Sequence, residues 1–195
     1  MPHFRSGIPV GSRPEDHAGI MGCIEQPWLV SESIDFIFDR LNDRSIVFEY
    51  GSGSSTFWFS KIVDKVYSVD HDHSWVNQLN SLIADHGISN ISLSLMSCEM
   101  RYILDIDSET EEQYVNYSKT IKNTGISLFD VILVDGVARS LCIEESIPYL
   151  KKGGMLIIDN AERPAYHKAI EKIPASWNKY EFSCPVDTTL VFIRK

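Results

Sequence analysis

The chain has no uninterrupted apolar run of the roughly 20 residues that a membrane-crossing helix requires; its longest runs are strand-sized. No membrane-spanning segment is expected. Cysteine is scarce: Cys23, Cys98, Cys142 and Cys184 are scattered, with no CxxC pair among them. That pattern disfavours a zinc site or a dithiol motif and suits reduced, mostly buried thiols. A clustered basic stretch is missing as well, with 18 Lys and Arg against 27 Asp and Glu and a net charge of −9. Polyanion binding draws its affinity from clustered cations that release counterions, so nucleic acid is not expected as a general partner. The opening "MPHFRSGIPVGSRPEDHAGIMGC" carries positive charge but no continuous apolar block. It does not read as a secretory signal, and a cytoplasmic location is the default expectation. There is no internal repeat.

What is present is the composition of an ordinary globular domain, 44% hydrophobic and 23% charged over 195 residues, enough to bury a core without disulfides or metals. Residues 1 to 27 are rich in Pro, Gly and polar side chains and read as an arm; residues 28 to 195 read as the domain. Ile34, Ile37, Phe38 and Leu41 recur at helical spacing after the candidate caps Ser31 and Ser33. Strand-like runs follow at 45 to 50, 65 to 70, 91 to 96, 130 to 135 and 155 to 160. Helical patterns separate most of them, the clearest with Trp75, Leu79, Leu82 and Ile83 on one face. This alternation predicts an α/β fold, a doubly wound, mostly parallel sheet covered by helices on both faces. Near the C-terminus "WNKYEFSC" and "TTLVFIRK" leave no room for a helix between them and predict an antiparallel hairpin at the sheet edge. The connection from 97 to 129 is the one long excursion. Its acidic "DIDSETEE" lacks the central Gly of an EF-hand loop and reads as a solvated helix face.

In such a sheet, ligands bind beyond the carboxyl ends of the strands where strand order reverses. The first strand ends in "FEYGSGSS". Gly51 and Gly53 leave bare backbone that a ligand can approach, and Ser54, Ser55 or Thr56 is expected to cap the following helix. A dinucleotide fingerprint would continue to a third glycine, but position 56 is Thr. Glu49, besides, would repel a pyrophosphate and attract a cation. Asp70, ending the second strand, is placed to accept hydrogen bonds from ribose hydroxyls. These features ask for an adenosine-type ligand that is positively charged and phosphate-free, and S-adenosylmethionine fits.

"FEYGSGSS" and "VYSVDHD" resemble the first and second motifs of class I S-adenosylmethionine-dependent methyltransferases, over most of the chain from about residue 28. The resemblance implies a seven-stranded sheet ending in the antiparallel hairpin. It implies that Glu49 and the backbone of Gly51, Ser52 and Gly53 hold the methionine portion, that Asp70 holds the ribose, and that His71 borders the adenine. The family's acid beyond the third strand, which meets the adenine amino group, has only Ser97, Cys98 and Glu99 as counterparts, and that contact stays open.

The fourth and fifth strands both end in acids, Asp135 before Gly136 and Asp159 before Asn160. Carboxylates on neighbouring strands will not both stay ionised unless something positive lies between them or one takes a proton. Asp135, Asp159 and Asn160 resemble the magnesium-binding set of catechol and caffeoyl-coenzyme A type O-methyltransferases, although Ala138 stands where that family has a lysine base. Alternatively Arg139 or Arg163, each four residues beyond its acid, supplies the charge as an ion pair or faces the pocket to grip an anionic substrate. A structural alternative is a capping box from Asp159 to Glu162. Without a metal, Asp135 is the best proton acceptor and His167 a distant second. Tyr114 and Tyr117 are expected to pack the excursion onto the body. The expected activity is S-adenosylmethionine-dependent methylation of a small molecule, at oxygen. The rivals are a cofactor-binding module without turnover and, less favoured, an NAD-dependent oxidoreductase. A homodimer is left open.

Overall fold

The structure is a computed structural model that describes residues 26 to 97 and 112 to 195. Cys23, Cys98, Glu99, most of the expected N-terminal arm and the "DIDSETEE" stretch up to residue 111 lie outside the described residues. The elements run α1 (Ser31–Phe38), β1 (Ile46–Tyr50), α2 (Ser54–Ser60), β2 (Lys65–Asp70), α3 (His73–Asp85), β3 (Ile91–Leu95), α4 (Glu112–Ser118), β4 (Phe129–Val134), α5 (Arg139–Ser146), β5 (Leu150–Ile158), α6 (Pro164–Ile170), β6 (Asn178–Cys184) and β7 (Asp187–Ile193), with short 3-10 turns after α4 and α5. No helix among the described residues is long and apolar enough to cross a membrane.

The strands form one seven-stranded sheet in the order β3-β2-β1-β4-β5-β7-β6. β1 to β5 pair in parallel, and β7 runs antiparallel between β5 and β6. The doubly wound sheet and its C-terminal hairpin agree with the sequence expectation. Strand order reverses between β1 and β4, so the loops after those strands open side by side at the switch point. β4 and β5 end one residue short of their acids. Asp135, Asp159 and Asn160 therefore sit in the loops at the carboxyl edge.

The central strands alternate between two cores because successive side chains leave opposite faces. Phe48, Tyr50, Ile132, Val134, Leu156 and Ile158 pack with Tyr117, Cys142, Ile143 and Tyr166 from the helices α4 to α6. Val47, Val131, Leu133, Met155 and Ile157 pack with Ile37, Trp58 and Phe59 from α1 and α2. Burial on both faces explains why these strands read as continuous apolar runs. It also places Glu49 on the α2 side, two residues on from Val47.

Helix starts differ from expectation where backbone geometry sets them. Val30 is the N-cap of α1, and Ser33 Oγ donates to Val30 O at 2.6 Å. Gly53 is the N-cap of α2; of the expected caps, Thr56 takes part by accepting from Gly53 N at 2.9 Å, and the hydroxyls of Ser55 and Thr56 donate inward to Glu49. Arg163 is the N-cap of α6 and Pro164 its first residue. The expected capping box from Asp159 to Glu162 does not form; Glu162 Oε2 accepts instead from Thr188 N at 3.0 Å.

Candidate active site at the carboxyl edge of the sheet

The Glu49 side chain is fully enclosed, with no solvent exposure. It accepts hydrogen bonds from the hydroxyls of Ser55 and Thr56 on α2 and from Ser68 Oγ on β2 at 2.8 Å. Burial pushes its pKa up to about 7 against the pull of those hydroxyls. Glu49 thus lies beneath the loop and binds strand to helix.

The two glycines differ. Gly51 has φ +88°, and a Cβ there would stand 2.7 Å from the Gly136 backbone and 2.8 Å from the Asp135 carbonyl carbon. Its missing side chain lets the loops after β1 and β4 touch. Gly53 is open: a Cβ there would meet nothing within 4 Å. This is the position at which a ligand can come against bare backbone.

Asp70 is buried and closes the loop from the β2 side. Its Oδ2 accepts from Ser52 N at 2.9 Å and Ser52 Oγ at 3.1 Å. Its Oδ1 accepts from the amides of His71 and Asp72 at 2.7 and 3.0 Å and lies 3.2 Å from His71 Nδ1. Burial works to raise its pKa, but the hydrogen bonds from the His71 ring and the Asp72 and Ser52 amides prevail and hold it below the ordinary carboxylate value. Asp70 is therefore ionised at neutral pH. Asp72 caps α3 by accepting from Trp75 N at 3.0 Å. The Trp75 indole N–H reaches back to Ser52 O at 2.8 Å. The helical period marked Trp75 as a packing residue; nothing in the spacing signals its bond to the loop.

At the ends of β4 and β5 a single buried guanidinium gathers the chain. Arg139 Nε donates to Gly136 O at 2.9 Å, Nη1 to Asp159 O at 2.6 Å, and Nη2 to Asp135 O at 3.0 Å and Asp135 Oδ1 at 2.7 Å. Its Nη1 also lies 3.9 Å from Asp159 Oδ2. Asp159 accepts from Thr189 Oγ1 at 3.1 Å, and Asn160 Nδ2 donates to Asp187 Oδ1 at 2.8 Å. Burial, with Asp135 and Asp187 nearby, pushes Asp159 up to about 8. Burial also raises Asp135, opposed chiefly by Arg139. The pair holds a proton at neutral pH. The Asp135 side chain keeps 29% of its surface exposed against 5% for Asp159, so of the two it is the acid an acceptor can reach.

These contacts weigh against the expected magnesium set of Asp135, Asp159 and Asn160 without testing it. A guanidinium already stands between the acids, and Asn160 Nδ2 donates to Asp187. Among the described residues no group of three or more His, Cys, Asp or Glu is arranged to hold a metal ion, and the charge of Asp135 and Asp159 is met by Arg139. The arginine alternative is what forms, through Arg139 alone. Arg163 is exposed and lies 3.8 Å from Glu162. With its donors turned to carbonyls and acids, Arg139 is not available to grip an anionic substrate. His167 is exposed on α6. Tyr117 is fully buried, its hydroxyl donating to Val69 O at 3.2 Å, and Tyr114 packs against the same core.

Two non-glycine residues here adopt positive φ, Ala138 at 51° and Asn160 at 50°. Asn tolerates this conformation; Ala does so at a cost of roughly 1–2 kcal/mol. Ala138→Gly is accordingly expected to stabilise the protein by about 0.5–1 kcal/mol, since glycine's added freedom in the unfolded chain offsets part of the relief. Urea denaturation at constant m-value measures it.

No family model and no curated protein matches this sequence. Solved structures do. An rRNA methylase from Streptococcus thermophilus superposes with a TM-score of 0.64 at 16% identity, covering 86% of this chain and 97% of its own. A methyltransferase-like protein from Silicibacter pomeroyi gives 0.64 at 18% identity, covering 88% and 91%. A proposed methyltransferase from Streptococcus mutans, in complex with SAH, gives 0.64 at 14% identity, covering 86% and 98%. At such identities the likeness is one of fold: the chain has the fold of the class I S-adenosylmethionine-dependent methyltransferases.

Proposed function

We propose that residues 28 to 195 form an S-adenosylmethionine-dependent methyltransferase acting on a small-molecule acceptor. One observation carries this: at the point where strand order reverses, the open Gly53 backbone lies beside an ionised, buried Asp70 that is bonded to the same loop. The Ser52–Gly53 backbone would face the methionine portion of the cofactor, Asp70 the ribose hydroxyls and His71 the adenine. When bound, the cofactor supplies an electrophilic methyl group on a sulfonium. The protein's part is to align an acceptor with that methyl and to take the acceptor's proton on Asp135, the reachable member of the acid pair. We take the acceptor atom to be a hydroxyl oxygen, ionised without a metal. A module that binds the cofactor without turnover is the second reading, favoured by Arg139 already engaging Asp135.

The net charge of −9 supports a small acceptor over a polyanion, although one protein of like fold is an rRNA methylase. The test is therefore wide. Calorimetry should show S-adenosylhomocysteine (SAH) binding and no NAD(H) binding. Asp70→Ala should weaken SAH at least tenfold, the scale of a lost hydrogen bond to a charged group. Methyl transfer from labelled cofactor to phenols, alcohols and amines, with RNA as a separate arm, then identifies the acceptor. Failure of the wild type to bind SAH ends the proposal.

A further inference from the structure

Gly53 poses a problem for a binding loop. The residue is the most permissive of all backbones, its outer side is open, and the peptide joining it to Ser52 could turn over cheaply. In the structure that peptide is gripped at both edges. In a trans peptide the carbonyl and the N–H point opposite ways, so two separate partners are needed to fix its plane. The Ser52 carbonyl accepts from the Trp75 indole at 2.8 Å. The Gly53 N–H donates to Thr56 Oγ1 at 2.9 Å, and the Thr56 hydroxyl in turn donates to Glu49. The chain thus runs from α3 through the loop into the buried acid beneath β1. Hydrogen bonds linked in series polarise one another, and of the two ends of this series Glu49 belongs to β1 whereas Trp75 comes from α3. Trp75 is itself placed by its position in the first turn of α3, where Asp72 accepts from its amide.

We propose that Trp75 is a positioning residue for cofactor binding, which holds the Ser52–Gly53 peptide in the orientation the ligand meets. This rests on the function proposed above. Pre-organising a loop raises affinity by removing the ordering that binding would otherwise require. Trp75→Phe keeps an aromatic ring and deletes the N–H.

The test is SAH calorimetry well below the melting transition of each variant, where every molecule is folded. A residue that only stabilises the fold would then leave Kd unchanged. Trp75→Phe is expected to weaken SAH about fivefold to tenfold, the range of one hydrogen bond. Thr56→Val, cutting the other edge, should weaken it similarly, and the double variant should lose less than the product of the two. Val191→Ala, buried on the interior strand β7, should lower Tm with Kd unchanged. If Trp75→Phe does not fold, the isosteric benzothienylalanine at position 75, which also lacks the N–H, replaces it. An unchanged Kd in a folded position-75 variant overturns the inference while leaving the methyltransferase reading intact. Absence of SAH binding by the wild type rejects both.

Discussion

Arg139→Met is expected to destabilise the fold by about 3–5 kcal/mol, the scale on which removing one partner strands buried charge. Methionine keeps the unbranched stem but ends short of the guanidinium, so a small cavity adds to the loss. Most comes from Asp135, whose Oδ1 loses its ion-pair partner at 2.7 Å, and from the carbonyls of Asp135, Gly136 and Asp159, which lose their donor. The loss should depend on pH with a definite sign. Asp159 has a folded pKa of about 8 against an ordinary 3.8, so the native state binds a proton more readily than the unfolded chain. Stability therefore falls as pH rises through that window. Arg139 opposes the shift, so its removal widens the window upward. The difference between variant and wild type should be largest above about pH 8, where Asp159 is ionised, and shrink below it as Asp159 takes up its proton. Urea titrations at several pH values measure this. A pH-independent difference would show that only carbonyl bonds were lost.

Gly51→Ala is expected to cost about 3–4 kcal/mol. Part is the left-handed conformation, roughly 1–2 kcal/mol for a residue with a Cβ. The rest is overpacking, about 1–3 kcal/mol, because the obstructing atoms are the backbone of Gly136 and Asp135 at 2.7–2.8 Å and cannot rotate away. Gly53→Ala is its control. That residue has φ 174°, extended backbone open to any side chain, and no neighbour within 4 Å. It should fold as stably as the wild type to within about 0.5 kcal/mol yet lose SAH affinity, because the new methyl occupies the ligand's approach. Thermal melts and calorimetry on the two variants separate the roles. Equal losses of stability would contradict them.

The fold was legible in the sequence because strands buried on both faces leave long apolar runs and the hairpin leaves no room for a helix. The carboxyl-edge residues were legible for the same reason, since runs such as "DVILVD" and "MLIIDN" end where the polar residue begins. Their partners were less so. The spacing of four brought Arg139 to Asp135 but applied equally to Arg163, and only the loop geometry after β5 decides between them: Asn160 turns at positive φ and α6 starts at Pro164, so Arg163 faces away from Asp159. The hydrogen bonds that enclose Glu49 were not legible, because they come from hydroxyls on α2 and β2 that only tertiary structure brings together. The Trp75 bond spans 23 residues and carries no periodic signature.

The position of β7 orders the making of the site in time. It is the last strand of the sheet to be synthesised, yet it lies inside the sheet, between β5 and β6. It also supplies Thr189 to Asp159 and Asp187 to Asn160. On a ribosome the glycine loop with Asp70 can assemble from residues already out of the exit tunnel, whereas the acid end of the crevice waits for β7 to emerge and dock. A nascent chain can thus close the loop around Gly53 and Asp70 before the surroundings of Asp159 and Asn160 are complete.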